Sequence, residues 1–191
     1  MSIAVPPLRS DAQRNLERIL AAASEIFREV GPDASVAEVA ERAGVGTATI
    51  FRRFPTKSDL IGAVVEAELT SLLTRVEEAV SGDDPGAALT DFVATAVESY
   101  VGDRCLCDTV GGELFERPRI AALAQRLLEA LDRLVRHAQR AGAIRKDVTA
   151  ADIAFFVRAL GQAGSTLERT DPGAWRRYVA IVLDGLRAPA R

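Results

Sequence analysis

Histidine and cysteine are scarce in this chain of 191 residues, which has one histidine and two cysteines. A single histidine, His137, cannot build a metal site with an ordinary number of ligands. It also has no obvious serine or cysteine partner for catalysis. We expect a partly exposed helix residue, with a hydrogen bond at a pocket edge as the alternative. The sequence therefore predicts no catalytic site, no metal site and no cofactor.

The two cysteines, Cys105 and Cys107, are too close in sequence for an unstrained internal disulfide, and their spacing matches no familiar zinc knuckle. Two small buried thiols and a redox-sensing pair are both compatible with the pattern. Since no disulfide framework is present, we expect a reducing, cytoplasmic setting.

Long apolar runs are also missing, although apolar residues make up 48% of the chain. No stretch of about 18 apolar residues occurs, so we expect no membrane span. The first ten residues lack the pattern of a secretory signal. The net charge of −3 excludes a protein that is basic all over, but it allows a local basic site.

What the sequence does contain is apolar residues at intervals of three and four, without a strand pattern or an internal repeat, so the predicted fold class is all-α. The predicted helices span residues 10–30, 35–43, 47–54, 56–80, 86–101, 120–141 and 149–170, and a last one runs from Asp171-Pro172 to about Leu186. Residues 102–117 are expected to be irregular or briefly helical.

Several helix ends carry local signals. Ser10 is a plausible N-cap of the first helix, and Thr149 of the seventh. Capping boxes are predicted where Ser35 precedes Glu38 and where Thr56 precedes Asp59.

Two short helices, 35–43 and 47–54, flank a turn at Gly44-Val45-Gly46 and predict a helix-turn-helix unit covered by the first helix. The stretch Phe51-Arg52-Arg53-Phe54 precedes Pro55, which should end the second helix. Because Phe51 and Phe54 are three apart, we expect them to share a helix face. We expect Ile50 and Phe54 to hold the helix to its scaffold.

The outer face of helix 47–54 is small at its N-terminal end and cationic at its C-terminal end. Its members are Thr47, Ala48, Thr49, Arg52 and Arg53, with Lys57 nearby. Small residues allow close approach to base edges in a major groove, and arginines bind phosphate or guanine. The alternative is an αα-hairpin whose arginines are merely solvated.

The stretches RILAAASEIFREVG (18–31) and SVAEVAERAGVGTATIFRRFPTKSDLI (35–61) resemble the DNA-binding unit of the TetR family of bacterial transcriptional regulators. The resemblance implies a homodimer that binds a near-palindromic operator. It places Thr47, Ala48 and Thr49 against bases or sugars, and Phe51, Arg53 and Lys57 at the DNA backbone; Ser35 and Arg52 complete the predicted interface. Phe51 stands where tyrosine is usual, Arg53 where histidine is frequent and Gly46 where serine often caps. We expect Phe51 to be partly exposed and to contact a sugar or a thymine methyl group, with burial in the core as the alternative.

By the same resemblance, residues 1–62 form the DNA-binding domain and residues 63–191 an effector-binding and dimerisation domain. Large side chains that could share an effector pocket, with plain core packing as the alternative, are Phe92, Tyr100, Leu127, Leu131, Phe155 and Phe156.

Residues 142–164 and 171–188 are similar to the closing helices of one large TetR subgroup, which pair with their copies in a four-helix dimer interface. Small residues, including Ala159 and Ala163, would permit close helix approach. The predicted interface comprises Val157, Leu160, Gly161, Gly164, Leu167, Trp175, Val179, Val182 and Leu186.

The function predicted from these patterns is a homodimeric repressor that a small, mostly apolar ligand releases from double-stranded operator DNA, with no membrane partner. The alternatives are a helical adaptor, a ligand-binding protein without operator binding, and a small helical enzyme.

Overall fold

A computed structural model of the protein describes residues 8–31, 33–101 and 113–188, and for residues 8–10 only the backbone. All regular elements in these ranges are helices, which confirms the all-α prediction, and the one β-type pairing is an isolated bridge between Ile144 and Arg187. The helices are α1 (Leu8–Val30), α2 (Val36–Ala43), α3 (Thr47–Arg53), α4 (Lys57–Val80), α5 (Pro85–Val101), a 3₁₀ turn (Glu113–Glu116), α6 (Pro118–Arg140), α7 (Ala150–Leu167) and α8 (Trp175–Leu186).

The chain divides into two compact units, Met1–Val64 and Val65–Arg191. Helix α4 begins in the first unit and ends in the second. The assignment of a function to each part of the chain stays a prediction.

In the first unit, α1 and α2 pack through their apolar faces. Phe27 of α1 and Val39 of α2 are fully buried. Helix α1 ends as predicted, because Gly31 has a φ of 92° and its N–H bonds to the Phe27 carbonyl at 2.9 Å. The predicted start was wrong, since α1 begins at Leu8 and Ser10 lies inside it. Leucine and arginine are good helix formers, so the helix continues through a serine that could have capped it.

The second unit has one core built from α4 through α8, with Leu89, Leu134 and Ile153 among its fully buried side chains. The seventh helix starts as predicted: Thr149 accepts the Asp152 N–H and donates its own N–H to the Asp152 carboxylate. The predicted end at Thr170 and the start at Asp171-Pro172 were wrong, since α7 stops at Leu167 and α8 begins at Trp175. Gly173 has a φ of 82°, which a right-handed helix excludes.

Candidate nucleic-acid interface and apolar cavity

Helix α2 is anchored at both ends. At its start, the Glu38 N–H donates to Ser35 Oγ at 3.2 Å, and the Ser35 N–H donates to the Glu38 carboxylate at 2.7 Å, which confirms the capping box. These bonds from the Ser35 backbone and hydroxyl, with the nearby charge of Lys57, lower the pKa of Glu38. The Ser35 side chain is exposed but engaged in the cap, so its contact with DNA stays a prediction.

In the turn after α2, Gly44 has a φ of 64°. The turn is also held by Arg18, a residue that the sequence analysis did not identify. The Arg18 guanidinium of α1 donates to the Ala43 carbonyl and, at 3.4 Å, to the Gly44 carbonyl. A cation at the C-terminal carbonyls of a helix is favourable. No local signal in the sequence could have identified Arg18, because its partners lie 25 and 26 residues away.

Helix α3 is short and is held on one side. Within this helix, which the structure describes throughout, Ile50 is the one buried residue, at 1% exposure. Phe54, the residue after the helix, is also buried, at 8%. Both were predicted to hold α3, and both burials confirm it.

The two phenylalanines do not share a face as we expected. Phe51 is 46% exposed, whereas Phe54 leaves the helical conformation with φ −126° and ψ 93° and turns into the core. The partial exposure of Phe51 agrees with its prediction. The helix therefore ends one residue earlier than predicted, because Pro55 disfavours helical geometry in the residue before it.

The outer face of α3 carries the predicted groups at its surface. Thr47, Ala48, Arg52 and Arg53 are exposed, and Thr49 is half-buried. The following helix starts at Lys57, which is half-buried, after a capping box in which the Asp59 N–H donates to Thr56 Oγ1 at 3.1 Å. This box confirms the predicted start of α4.

Three arginines of α2 and α3 differ in their ion-pair partners. Arg42 on α2 binds two carboxylates of α1, Glu25 at 3.0 Å and Glu29 at 3.4 Å. Arg52 and Arg53 form no ion pair with any residue in the ranges 8–31, 33–101 and 113–188. Arg42 therefore serves the fold, while the two arginines of α3 are available to an external anion.

The second unit contains a cavity of about 370 Å³. Five of the six side chains predicted for a pocket line it: Phe92, Tyr100, Leu127, Leu131 and Phe155. Phe156 is not among the described lining residues and instead borders a second cavity with Val182 of α8. Sequence analysis did not identify four further residues that line the same cavity: Leu69 and Leu72 of α4, Phe115 of the 3₁₀ turn and Arg158 of α7. Only their spatial convergence identifies them.

Most of the predicted dimer interface is already covered within one protomer. Six of the nine residues are buried: Val157, Gly161, Gly164, Trp175, Val179 and Leu186. The other three, Leu160, Leu167 and Val182, are half-buried. The six buried residues pack within the protomer, because small and apolar residues suit the contact of α7 with α5 and α8, and their part in a dimer interface stays a prediction.

The two glycines show this packing directly. A Cβ at Gly161 would lie 2.3 Å from the Tyr100 Cβ, and a Cβ at Gly164 would lie 2.5 Å from Val101 Cγ2. Both glycines therefore allow α5 to approach α7 within the protomer. The apolar side chains that α7 and α8 leave at the surface are different ones: Phe155 at 58% exposure, Ile181 at 59% and Tyr178 at 38%.

The remaining candidate residues from the sequence are His137, Cys105 and Cys107. His137 is half-buried on α6. Within the described ranges, no cluster of three or more histidine, cysteine, aspartate or glutamate residues could hold a metal ion. Cys105 and Cys107 lie outside the described residues. None of the helices that the structure describes is both long and apolar enough to span a membrane.

Known proteins share both units. Residues 19–64 match the model of the tetR family of bacterial regulatory proteins, and residues 84–188 match the C-terminal domain of SbtR-like transcriptional regulators. An HTH-type transcriptional regulator of Mycobacterium bovis is 30% identical over 158 residues, which cover 81% of this chain and 80% of the relative.

Solved structures agree with the family models. A TetR regulatory protein of Mycobacterium vanbaalenii is 32% identical, with a TM-score of 0.73 over 95% of this chain and 100% of that one. The regulator FadR of Bacillus subtilis, in complex with stearoyl-CoA, shares the fold at 20% identity, with a TM-score of 0.67 over 92% of this chain and 100% of that one. The chain belongs to the TetR family of transcriptional regulators.

Proposed function

We propose that the protein is a homodimeric repressor that binds a near-palindromic operator through α3 and is released from it by a small, mostly apolar effector. The observation that carries this proposal is the outer face of α3, where Arg52 and Arg53 are exposed without a carboxylate partner among the described residues. Uncompensated cations beside small residues suit a polyanion with a groove. A reducing cytoplasm, where such regulators meet DNA, also fits the cysteine content.

The residues divide by what they would contact. Arg53 and Lys57, with Arg52, would neutralise phosphates and position the helix. Thr47 and Ala48, at the start of α3, would approach base edges. Phe51 cannot donate to a phosphate, and its exposed ring suits a thymine methyl group or a sugar.

The test is a gel-shift titration of the full chain on DNA upstream of its own gene. Arg53→Ala should weaken binding to all sequences alike and reduce the slope of log affinity against log salt by about one. Thr47→Ala should instead change which base is preferred at one position of the site. Arg126→Ala, an exposed arginine of α6 in the other unit, is the matched control and should leave affinity unchanged.

An Arg53→Ala protein with unaltered affinity and salt slope would remove the assignment of α3. If the wild-type chain bound ligand but no DNA, the alternative of a ligand-binding protein or an adaptor would replace the repressor.

The apolar cavity supports the effector part of the proposal. Its volume of about 370 Å³ lies in the usual range for small-molecule sites, roughly 300–1,000 Å³. FadR, which has the same fold, is bound to an acylated ligand in its crystal structure. Leu69 and Leu72 of the cavity wall belong to α4, the helix whose first residue is Lys57. An effector that binds better to a form with α4 displaced would shift the population away from the operator.

The exposed apolar side chains of α8 support a homodimer. Tyr178 and Ile181 are unfavourable in contact with water, and burial against a second copy would stabilise them. Ile181→Glu should raise the dimer dissociation constant by at least about tenfold, since a buried carboxylate would be unpaired there. Sedimentation equilibrium measures the change. Ala180→Glu, an exposed neighbour on α8, is the control, and an Ile181→Glu protein that stays as dimeric as the wild type would contradict this surface.

A further inference from the structure

One charged side chain lies on the wall of the apolar cavity. Among the described residues that line it, Arg158 of α7 is the charged one, and the others are apolar apart from the hydroxyl of Tyr100. Arg158 forms no ion pair with any residue that the structure describes. Since arginine is cationic, the cavity lining carries a positive charge that no carboxylate of the described residues compensates.

The position of Arg158 indicates where a ligand's polar end would lie. Arg158 is exposed, as are Ala151, Ala154 and Phe155, which line the cavity from the same helix. The exposed members of the described lining thus lie on α7, where the cavity meets solvent, whereas Phe92 and Leu131 of the same lining are buried. A long arginine stem covers apolar surface while its guanidinium stays at the water boundary. A ligand would place its apolar body inward and its polar group at the mouth.

Tyr100 lines the same cavity as Arg158 and lies at a close contact between α5 and α7. One helical turn after Arg158, Gly161 has no side chain, and a Cβ there would lie 2.3 Å from the Tyr100 Cβ. The missing side chain brings α5 against α7 and sets the Tyr100 ring on the cavity that Arg158 borders. The described lining of the cavity thus includes a phenol and a guanidinium among side chains that are otherwise apolar.

We propose that the effector is a compact anionic amphiphile, a carboxylic acid with an aryl or medium-length alkyl body, whose carboxylate binds Arg158 at the mouth of the cavity. This inference rests on the proposed function, in which the cavity holds the effector. Guanidinium matches a carboxylate with two parallel N–H···O bonds, which an amide or an amine cannot reproduce. The cavity volume, near the lower end for such sites, favours a compact acid over a long-chain thioester.

The test is isothermal titration calorimetry of the full-length protein with two matched pairs of probes. The pairs are phenylbutyrate with phenylbutanamide, and octanoate with octanamide. The wild type should bind each acid at least about tenfold more tightly than its amide, the effect expected of one hydrogen-bonded charge. Arg158→Met should lose that preference and keep its affinity for the amides, while Arg158→Lys should retain part of it.

Arg169→Met is the matched control, because Arg169 is an exposed arginine just after α7 and is not among the residues lining the cavity. It should behave as the wild type does. Sedimentation of the same variants checks that the substitutions leave the oligomeric state unchanged.

Four results would overturn the inference: equal affinities of the wild type for acid and amide, no binding of any probe, an equal loss for acids and amides in Arg158→Met, or a change of oligomeric state in that variant. The last result would place Arg158 in a subunit interface. None of these results bears on the gel shift with Arg53→Ala, so the proposed DNA-binding function stands or falls separately.

Discussion

The two units of this protein are built by different means. In the first, helix ends lie at capping boxes, at Gly31 and Gly44 with positive φ, and before Pro55. In the second, α7 packs against α5 through two glycines at which a Cβ would overlap a neighbouring residue, and four helices and a 3₁₀ turn line a cavity. Local signals thus set most helix ends of the first unit, whereas the cavity of the second depends on contacts distant in sequence.

The largest effect should come from Ile50, the one buried residue within α3. Ile50→Ala should lower the free energy of unfolding of the first unit by about 2–5 kcal/mol, since it removes buried apolar contacts and leaves a cavity. It should also abolish operator binding, because α3 loses its position. Urea unfolding followed by circular dichroism, with a gel shift, measures both.

Phe51→Ala is the control for this variant, because the ring is 46% exposed on the same helix. It should change stability by less than about 0.5 kcal/mol, as most surface substitutions do. If the Ile50→Ala and Phe51→Ala proteins were equally stable, burial of one side of α3 would not stabilise the helix. The proposed difference between the two units would then lose support.

A smaller effect is expected at the glycine contact of the second unit. Gly161→Ala should destabilise the protein by about 1–3 kcal/mol, because the added Cβ would overlap Tyr100 of α5. Gly185→Ala in α8 has no heavy atom within 4 Å of the new Cβ. It should instead stabilise the helix by about 0.5–1 kcal/mol, since alanine restricts the unfolded chain.

If the two glycine-to-alanine substitutions change the free energy of unfolding in opposite directions, helix packing determines the structure of the second unit. Thermal and urea unfolding of both variants provide the measurement. A stabilised Gly161→Ala protein would show that α5 and α7 are farther apart than this structure places them.

The smallest expected effect comes from the capping boxes, which occur in both units. Ser35→Ala at α2 and Thr149→Ala at α7 each remove a capping box and should each cost about 1 kcal/mol. Ser71→Ala, at an exposed position inside α4, is the control and should change stability by only a few tenths of a kcal/mol. Chemical unfolding measures both costs, and a clear difference between the two caps would mean that tertiary contacts replace the cap in one unit.

Sequence reasoning succeeded where a local cause was sufficient. The boxes at Ser35 and Thr56, the N-cap at Thr149 and the burial of Ile50 follow from local pattern and spacing, and the structure confirms them. It was insufficient where one pattern suits two environments. Gly161 resembled a dimer residue because a small residue allows close approach, but sequence cannot say whether the approaching helix belongs to the same chain.

The same limit applies to single side chains. Phe51 and Phe54 have the spacing of a shared face, yet the backbone leaves the helix between them and sends only Phe54 inward. Arg18, Arg42, Arg52 and Arg158 are alike as residues, and only their neighbours separate a helix cap, an internal ion pair and an uncompensated charge.

By itself, the sequence determined the helical class and the helix-turn-helix with its glycine turn, because caps, breakers and apolar periodicity act over a few residues, and its resemblance over residues 18–61 indicated the family. The tertiary structure alone decided which arginines form no ion pair with the described residues, which apolar side chains of α7 and α8 stay at the surface, and which residues of four helices and a 3₁₀ turn meet around one cavity. Charge pairing and burial depend on distances between residues far apart in the chain, and only the packed chain sets those distances.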